Sequence, residues 1–387
     1  MHRRLLAALL ALLLAPAACS SSAPAPGGAG PATASPATPG GPGGPTVRAT
    51  VADGLAVPWG LVVLPGGDLL VSERDSARIV RIATPGGAGG AGGSPRADGA
   101  AGAKTEAGTV PGVVAGGEGG LLGLAVSPGF AADRLVYAYL STAEDNRIVR
   151  IRYDPALPVG AQLGTPETLL AGIPRGPRHN GGRIAFGPDG LLYATTGDSG
   201  DPALAQDAAS LGGKILRLTP DGAPAPGNPL PGSPVYSLGH RNPEGIAWDP
   251  EGRLWACEFG ADTWDELNLI RPGGNYGWPE LEGAGHRPGF IDPLAQWRPA
   301  EASPSGLAYA DGALWMAALR GTRLWRVPIA GDHLAGSPRG YLNDAYGRLR
   351  TVVTAPDGTL LLATNNTDGR GEPRPGDDRV LRLAPGG

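Results

Sequence analysis

His179 stands in the run Arg178-His179-Asn180-Gly181-Gly182, and it is one of only five histidines in the chain. A neutral imidazole can accept a proton near neutral pH, so a histidine set among polar residues and glycines is a candidate general base. Three arginines stand in similar surroundings: Arg241 in GHRNPEG, and Arg348 and Arg350 in GRLR. An Arg-x-Arg pair in a strand directs both guanidinium groups to one side. Such a cluster suits a ligand with several carboxylates, or an oxyanion that develops during a reaction. Glu258, Asp262, Asp265 and Glu266, with the backbone of Gly260 and Ala261, supply oxygen atoms of the kind a hard cation such as calcium prefers, although their spacing is not that of an EF-hand. Each motif also has a plain structural reading, as a core histidine, a set of surface ion pairs or a solvated loop.

These residues are dispersed in sequence, so a scaffold must bring them together. The pentapeptide Arg-Ile-Val-Arg-Ile occurs twice, at 78–82 and 147–151, and has relatives at 214–218, 266–270, 323–327 and 379–383. Each copy follows an apolar run, a turn rich in Pro, Asp and Gly, and a second apolar run, which is the period-two patterning of a hairpin. Six such units predict an all-β fold, a six-bladed β-propeller. The run at 46–51 belongs to no unit and is expected to add an outer strand to the last blade, closing the ring. The Gly- and Ala-rich insertion at 85–108 is expected to be a mobile surface loop. Glu118, His179, Arg241, Asn242, Trp297 and the Arg348/Arg350 pair all lie just before the first strand of a unit or at its start. They should therefore share one face, around the central channel.

The ends and the composition set further bounds. Residues 1–19 combine a basic start, an apolar run and small residues before Cys19, the pattern of an export signal; the run is too short to span a membrane. Ala17-Ala18-Cys19 resembles a bacterial lipobox, so Cys19 is a candidate for lipidation, with Pro16 in place of the usual aliphatic residue. Residues 20–45 hold almost nothing to bury and read as a flexible tether ahead of a domain at 46–387. Attachment through a lipid on Cys19 would be the only link to a membrane, on an exported protein. A formal net charge of −4 gives no basic patch for nucleic acid. Cys257 is the only other cysteine, so no disulfide can form inside the domain.

The motifs EGGLLG, HNGGRI, GHRNPEG, DELNLI with GGNYGWP, and GRLR resemble, taken together, the soluble pyrroloquinoline-quinone-dependent sugar dehydrogenases of the glucose/sorbosone dehydrogenase family. The resemblance extends from about residue 46 to the end. It implies that His179 is the catalytic base and that Arg241 assists it while contacting the cofactor with Asn242. It also implies that the carbonyls of Gly260 and Ala261 hold a cofactor-bound calcium ion, and that Arg348 and Arg350 bind quinone carboxylates. Arg320 matches the family's basic residue of the fifth blade, Trp297 an aromatic beside the cofactor, and Glu118 a position where some members have Gln. Arg178 departs from members with an acidic residue there, which bears on sugar preference. The implied reaction is oxidation of an aldose, with electrons passed to an external acceptor. A non-catalytic binding propeller and a calcium-dependent lactonase-type propeller stand as alternatives; the second needs carboxylates on a channel metal and no arginine cluster.

Overall fold

The computed structural model describes residues 44–84 and 102–386, together with a two-residue strand at 32–33. The export signal and nearly all of the tether lie outside the described residues. The first repeated unit forms a sheet of Pro58–Val63, Leu69–Glu73, Arg78–Ile82 and Lys104–Thr109. Five more sheets follow in chain order, beginning with Leu121–Val126, Ile184–Phe186, Pro243–Trp248, Pro304–Ala310 and Leu349–Thr354. These are the six blades of a β-propeller, numbered here in that order. Helix among the described residues is limited to Phe130–Asp133 and a 3-10 turn at Pro202–Ala205.

Strand Thr46–Ala52 pairs antiparallel with Val380–Ala384 and becomes the outer strand of blade six, so the start of the domain closes the ring as expected. One expectation is corrected. The insertion between the first two units does not run as a loop to residue 108, because Lys104–Thr109 pairs with Arg78–Ile82 as the fourth strand of blade one. A Gly- and Ala-rich approach hid this strand, whose own residues alternate only weakly. Residues 85–101 lie outside the described residues.

The repeated pentapeptide has a physical reason for its form. Its apolar positions are buried in the third strand of a blade, as in the pattern of Arg78–Ile82. Its second basic position reaches back to the acidic residue of the preceding turn: Arg81 pairs with Asp68 at 2.5 Å, Arg217 with Asp189 at 3.0 Å and Arg382 with Asp357 at 2.9 Å. Between the blades lie six apolar clusters, one at each junction. Each fully buried Leu, Ile or Val in them contributes about 1.5–3 kcal/mol. Packing therefore carries the stability that a disulfide would otherwise supply. Cys257 is a free, buried thiol in the junction of blades four and five, and its Sγ donates to the Ser305 carbonyl at 3.1 Å.

Candidate active site

Two sets of loops open on the same face. One set precedes the first strand of each blade and brings Glu118, His179, Arg241, Asn242, Ser303 and Arg348. The other joins second and third strands and brings Arg74, Phe259, Gly260, Ala261, Arg320 and Arg370. With Trp59, Glu244, Asp265 and Arg350 from the strands themselves, they line one cavity of about 450 Å³. Placement of residues so distant in sequence follows from the propeller: innermost strands all start, and second strands all end, at one face.

His179 is buried and has a φ of 57°, a left-handed conformation uncommon outside glycine. Its backbone is held there from both sides. Its N–H donates to Glu118 Oε2 at 2.7 Å, and its carbonyl accepts from the Ser199 amide at 3.0 Å. A Cβ on Gly197 would collide with that carbonyl, so only glycine permits the approach. The ring Nδ1 lies 2.7 Å from Asp198 Oδ1. Asp198 is an acceptor there, so it fixes the tautomer that leaves the Nε2 lone pair free. Asp198 also accepts from Trp278 Nε1 at 2.9 Å and the Gly200 amide at 2.8 Å. Burial works to raise its carboxyl, but the bond to His179 and these other donors outweigh it and hold the group below the ordinary aspartate value. Asp198 stays ionised and can steady an imidazolium.

Six guanidinium groups line the cavity, on Arg74, Arg241, Arg320, Arg348, Arg350 and Arg370, against the carboxylates of Glu118, Glu244 and Asp265. Arg350 donates to Glu244 at 2.6 Å, and Arg348 to Asp368 at 2.8 Å. Arg241 lies over the Trp278 ring at 5.4 Å. Burial lowers the pKa of both Arg241 and Arg350, and the Nε of each is buried without a hydrogen-bond partner among the described residues. Unpartnered buried donors of this kind fit an anionic group held between them. Beneath them Arg183 packs on Trp59 at 4.3 Å and donates to the Glu244 carbonyl at 2.7 Å; burial pulls its pKa down to about 10.

The loop after Leu254–Glu258 is gathered by one carboxylate. Glu282 Oε1 accepts from the amides of Ala261, Asp262, Thr263 and Trp264, at 2.7 to 3.0 Å. Asp265 accepts from the amides of Gly260 at 2.9 Å and Ser303 at 2.6 Å. Burial pushes its carboxyl up to about 7. With their amides taken, the carbonyls of Gly260 and Ala261 accept no hydrogen bond among the described residues. They are a pair of oxygens that could hold a hard cation. No group of three or more His, Cys, Asp or Glu suited to a metal occurs among the described residues. A cation here would complete its shell from a bound ligand.

Of the residues named from sequence, Glu118, His179, Arg241, Asn242, Gly260, Ala261, Arg320, Arg348 and Arg350 all line the cavity. Trp297 does not. It is fully buried at the end of Ala295–Trp297, the fourth strand of blade four, and packs on Trp325 with ring centroids 5.7 Å apart. The aromatic residues on the cavity wall are Trp59 and Phe259. Sequence reading missed Trp59, Arg74, Asp198, Glu244 and Arg370. Arg74, Asp198 and Arg370 all follow the second strand of a blade, as Gly260 and Ala261 do, and that shared position was the available signal.

Comparison with known proteins agrees with this geometry. The family profile described as Glucose / Sorbosone dehydrogenase matches residues 55–372. A solved structure of the PQQ-bound aldose sugar dehydrogenase of Streptomyces coelicolor has 60% identity and a TM-score of 0.83, covering 89% of this chain and 99% of that one. A putative oxidoreductase (glucose dehydrogenase) of Thermus thermophilus has 44% identity and a TM-score of 0.77, covering 88% and 100%. The aldose sugar dehydrogenase of Escherichia coli is 30% identical over 291 residues, which are 67% of this chain and 78% of that protein.

Proposed function

The chain belongs to the glucose/sorbosone dehydrogenase family, and from that premise we propose that it oxidises an aldose at the anomeric carbon to the lactone, using pyrroloquinoline quinone and calcium. The observation that carries this reading is the convergence, in one cavity, of a histidine with a free ring nitrogen, a guanidinium cluster and two unengaged carbonyls. When bound, the quinone supplies an electrophilic carbonyl that accepts hydride, and calcium supplies charge that polarises it. Arg320, Arg348, Arg350 and Asn242 would hold the quinone, and the carbonyls of Gly260 and Ala261 the calcium.

The chain's own part in the reaction is to orient the sugar and move a proton. His179 Nε2 takes the proton of the anomeric hydroxyl, and Asp198 stabilises the resulting imidazolium through Nδ1–H. Arg241, with its pKa lowered by burial yet still cationic at neutral pH, offers its guanidinium to oxygen that gains negative charge. Electrons leave to an external acceptor. The lactonase-type alternative is set aside by the arginine cluster and by the absence, among the described residues, of a carboxylate cage. For the N-terminus we propose export and lipidation at Cys19; the mass of the mature N-terminal peptide checks it, and an unmodified Cys19 contradicts it.

The test is reconstitution. Purified apoprotein given calcium and pyrroloquinoline quinone should reduce a dye in the presence of aldoses. Binding of the quinone without turnover of any sugar would leave a binding propeller, and no binding at all would end the reading.

A further inference from the structure

Arg370 is not among the residues that the family resemblance assigns, yet it lines the cavity beside the base. Its Nη1 donates to Glu118 Oε1 at 2.8 Å, and the other oxygen of that carboxylate accepts the His179 amide at 2.7 Å. The Arg370 guanidinium and the His179 backbone are thus one carboxylate apart. The side chain is 60% exposed, and among the described residues only one of its five N–H donors is engaged. Its loop is fixed to the wall: the Arg370 amide donates to Asp368 Oδ1 at 2.9 Å, and Asp368 is the partner of Arg348. A Cβ on Gly371 would meet the Asn366 backbone at 2.7 Å, so the loop lies close against that wall. Arg178, next to His179 on the other side, is also exposed.

The charge balance points the same way. Among the described residues Arg74 is paired with Asp75, Arg348 with Asp368 and Arg350 with Glu244, which leaves Arg320 and Arg370 as the exposed guanidinium groups of the cavity. Of these two, Arg370 is the one joined to the base through Glu118, with its remaining donors open to an incoming ligand.

Resting on the sugar-dehydrogenase reading, we propose that Arg370 is a specificity-determining residue that selects aldoses carrying a carboxylate, the uronic acids. The sugar carboxylate takes the unused donors of Arg370 as a charge-assisted hydrogen bond while its anomeric hydroxyl faces His179. Glu118 holds Arg370 in place, and the like charge of the guanidinium disfavours cationic amino sugars at the same position.

The test compares glucuronate with glucose on the reconstituted enzyme, in wild type, Arg370→Ala and Arg370→Lys. Wild type should favour glucuronate in kcat/KM by about tenfold or more, the size of one charge-assisted hydrogen bond. In Arg370→Ala the ratio of the two values should fall about tenfold, mainly through KM, and Arg370→Lys should restore most of it. Damage to the base lowers both sugars together and leaves the ratio unchanged. Calorimetric titration of glucuronate into the enzyme with its quinone already reduced gives a second readout free of turnover; affinity should drop in Arg370→Ala. If wild type oxidises glucose but shows no preference for glucuronate, or if the ratio survives in Arg370→Ala, the proposal is wrong. If wild type oxidises neither sugar nor any other aldose, the function reading itself has failed.

Discussion

Two histidines in adjacent blades share one kind of contact and differ at the other ring nitrogen. His179 and His240 each place Nδ1 against a buried carboxylate, at 2.7 Å from Asp198 and 2.8 Å from Glu258. The difference is at the other nitrogen. His240 Nε2 is 2.8 Å from Ser237 Oγ, and its ring is fully buried and stacked on Tyr276 at 4.7 Å. Among the described residues His179 Nε2 has no such partner, and the residue belongs to the cavity wall. A histidine with both nitrogens occupied is a strut, and one with a single nitrogen occupied can exchange a proton. The tripeptides Arg178-His179-Asn180 and His240-Arg241-Asn242 show how the fold makes the choice. In each, the residue directly before Asn lines the cavity, so His179 corresponds to Arg241 and not to His240.

This contrast is broken most directly by truncation. His179→Ala should lower turnover by at least ~100-fold, while chemical denaturation shows little loss of stability. His240→Ala should do the reverse, costing about 3 kcal/mol because Glu258 and Ser237 lose a buried partner. If His240→Ala abolishes turnover in a protein that remains fully folded, the assignment of the two roles is incorrect. Next in size is Asp198→Asn, which removes the charge opposite Nδ1; kcat should fall by roughly 10- to 100-fold with a smaller change in KM. An unchanged kcat would reduce Asp198 to a packing residue.

A weaker effect is expected where the cavity depends on Glu282. Glu282→Gln should loosen the four amides gathered by that carboxylate and raise the calcium concentration needed for quinone retention about tenfold. The same calcium requirement as wild type would show that the loop holds its shape without the charge.

The smallest effect belongs to the strut. Burial, then the nearby Glu258 charge, raises Glu266 to about 8, and Asn268 links the two carboxylates at 3.1 and 3.0 Å. A carboxyl raised in the fold contributes stability that is complete below its unfolded value and lost as pH rises through the folded one. Stability of the apoprotein should therefore fall from about pH 4.5 to about pH 8 by this contribution. In Glu266→Gln the fall should be shallower, as read from denaturation midpoints at several pH values.

How much of this was legible in the sequence depended on periodicity. The repeated pentapeptide fixed the six blades because strand alternation and the Asp–Arg pairs recur with it, and residues just before each first strand were correctly placed on one face. Trp297 was misplaced by the same reasoning. It ends an outer strand, one residue before the loop, and a period-two pattern does not say whether an aromatic at such an end turns to the channel or to the neighbouring blade. Asp198 and Arg370 were missed because each lies in a loop between second and third strands, within a local sequence that resembles any turn. Only the closed ring places Arg370 beside Glu118, 252 residues away. Lys104–Thr109 was hidden by the low-complexity approach to it.

The central claim is that the cavity binds the quinone through its arginines and does chemistry through His179. It is tested by titrating pyrroloquinoline quinone, with calcium, into wild type and His179→Ala while following both quinone binding and aldose-dependent dye reduction. The account predicts equal quinone binding by the two proteins and turnover at least ~100-fold lower in the variant. Near-normal turnover by His179→Ala, with the quinone bound, would contradict it.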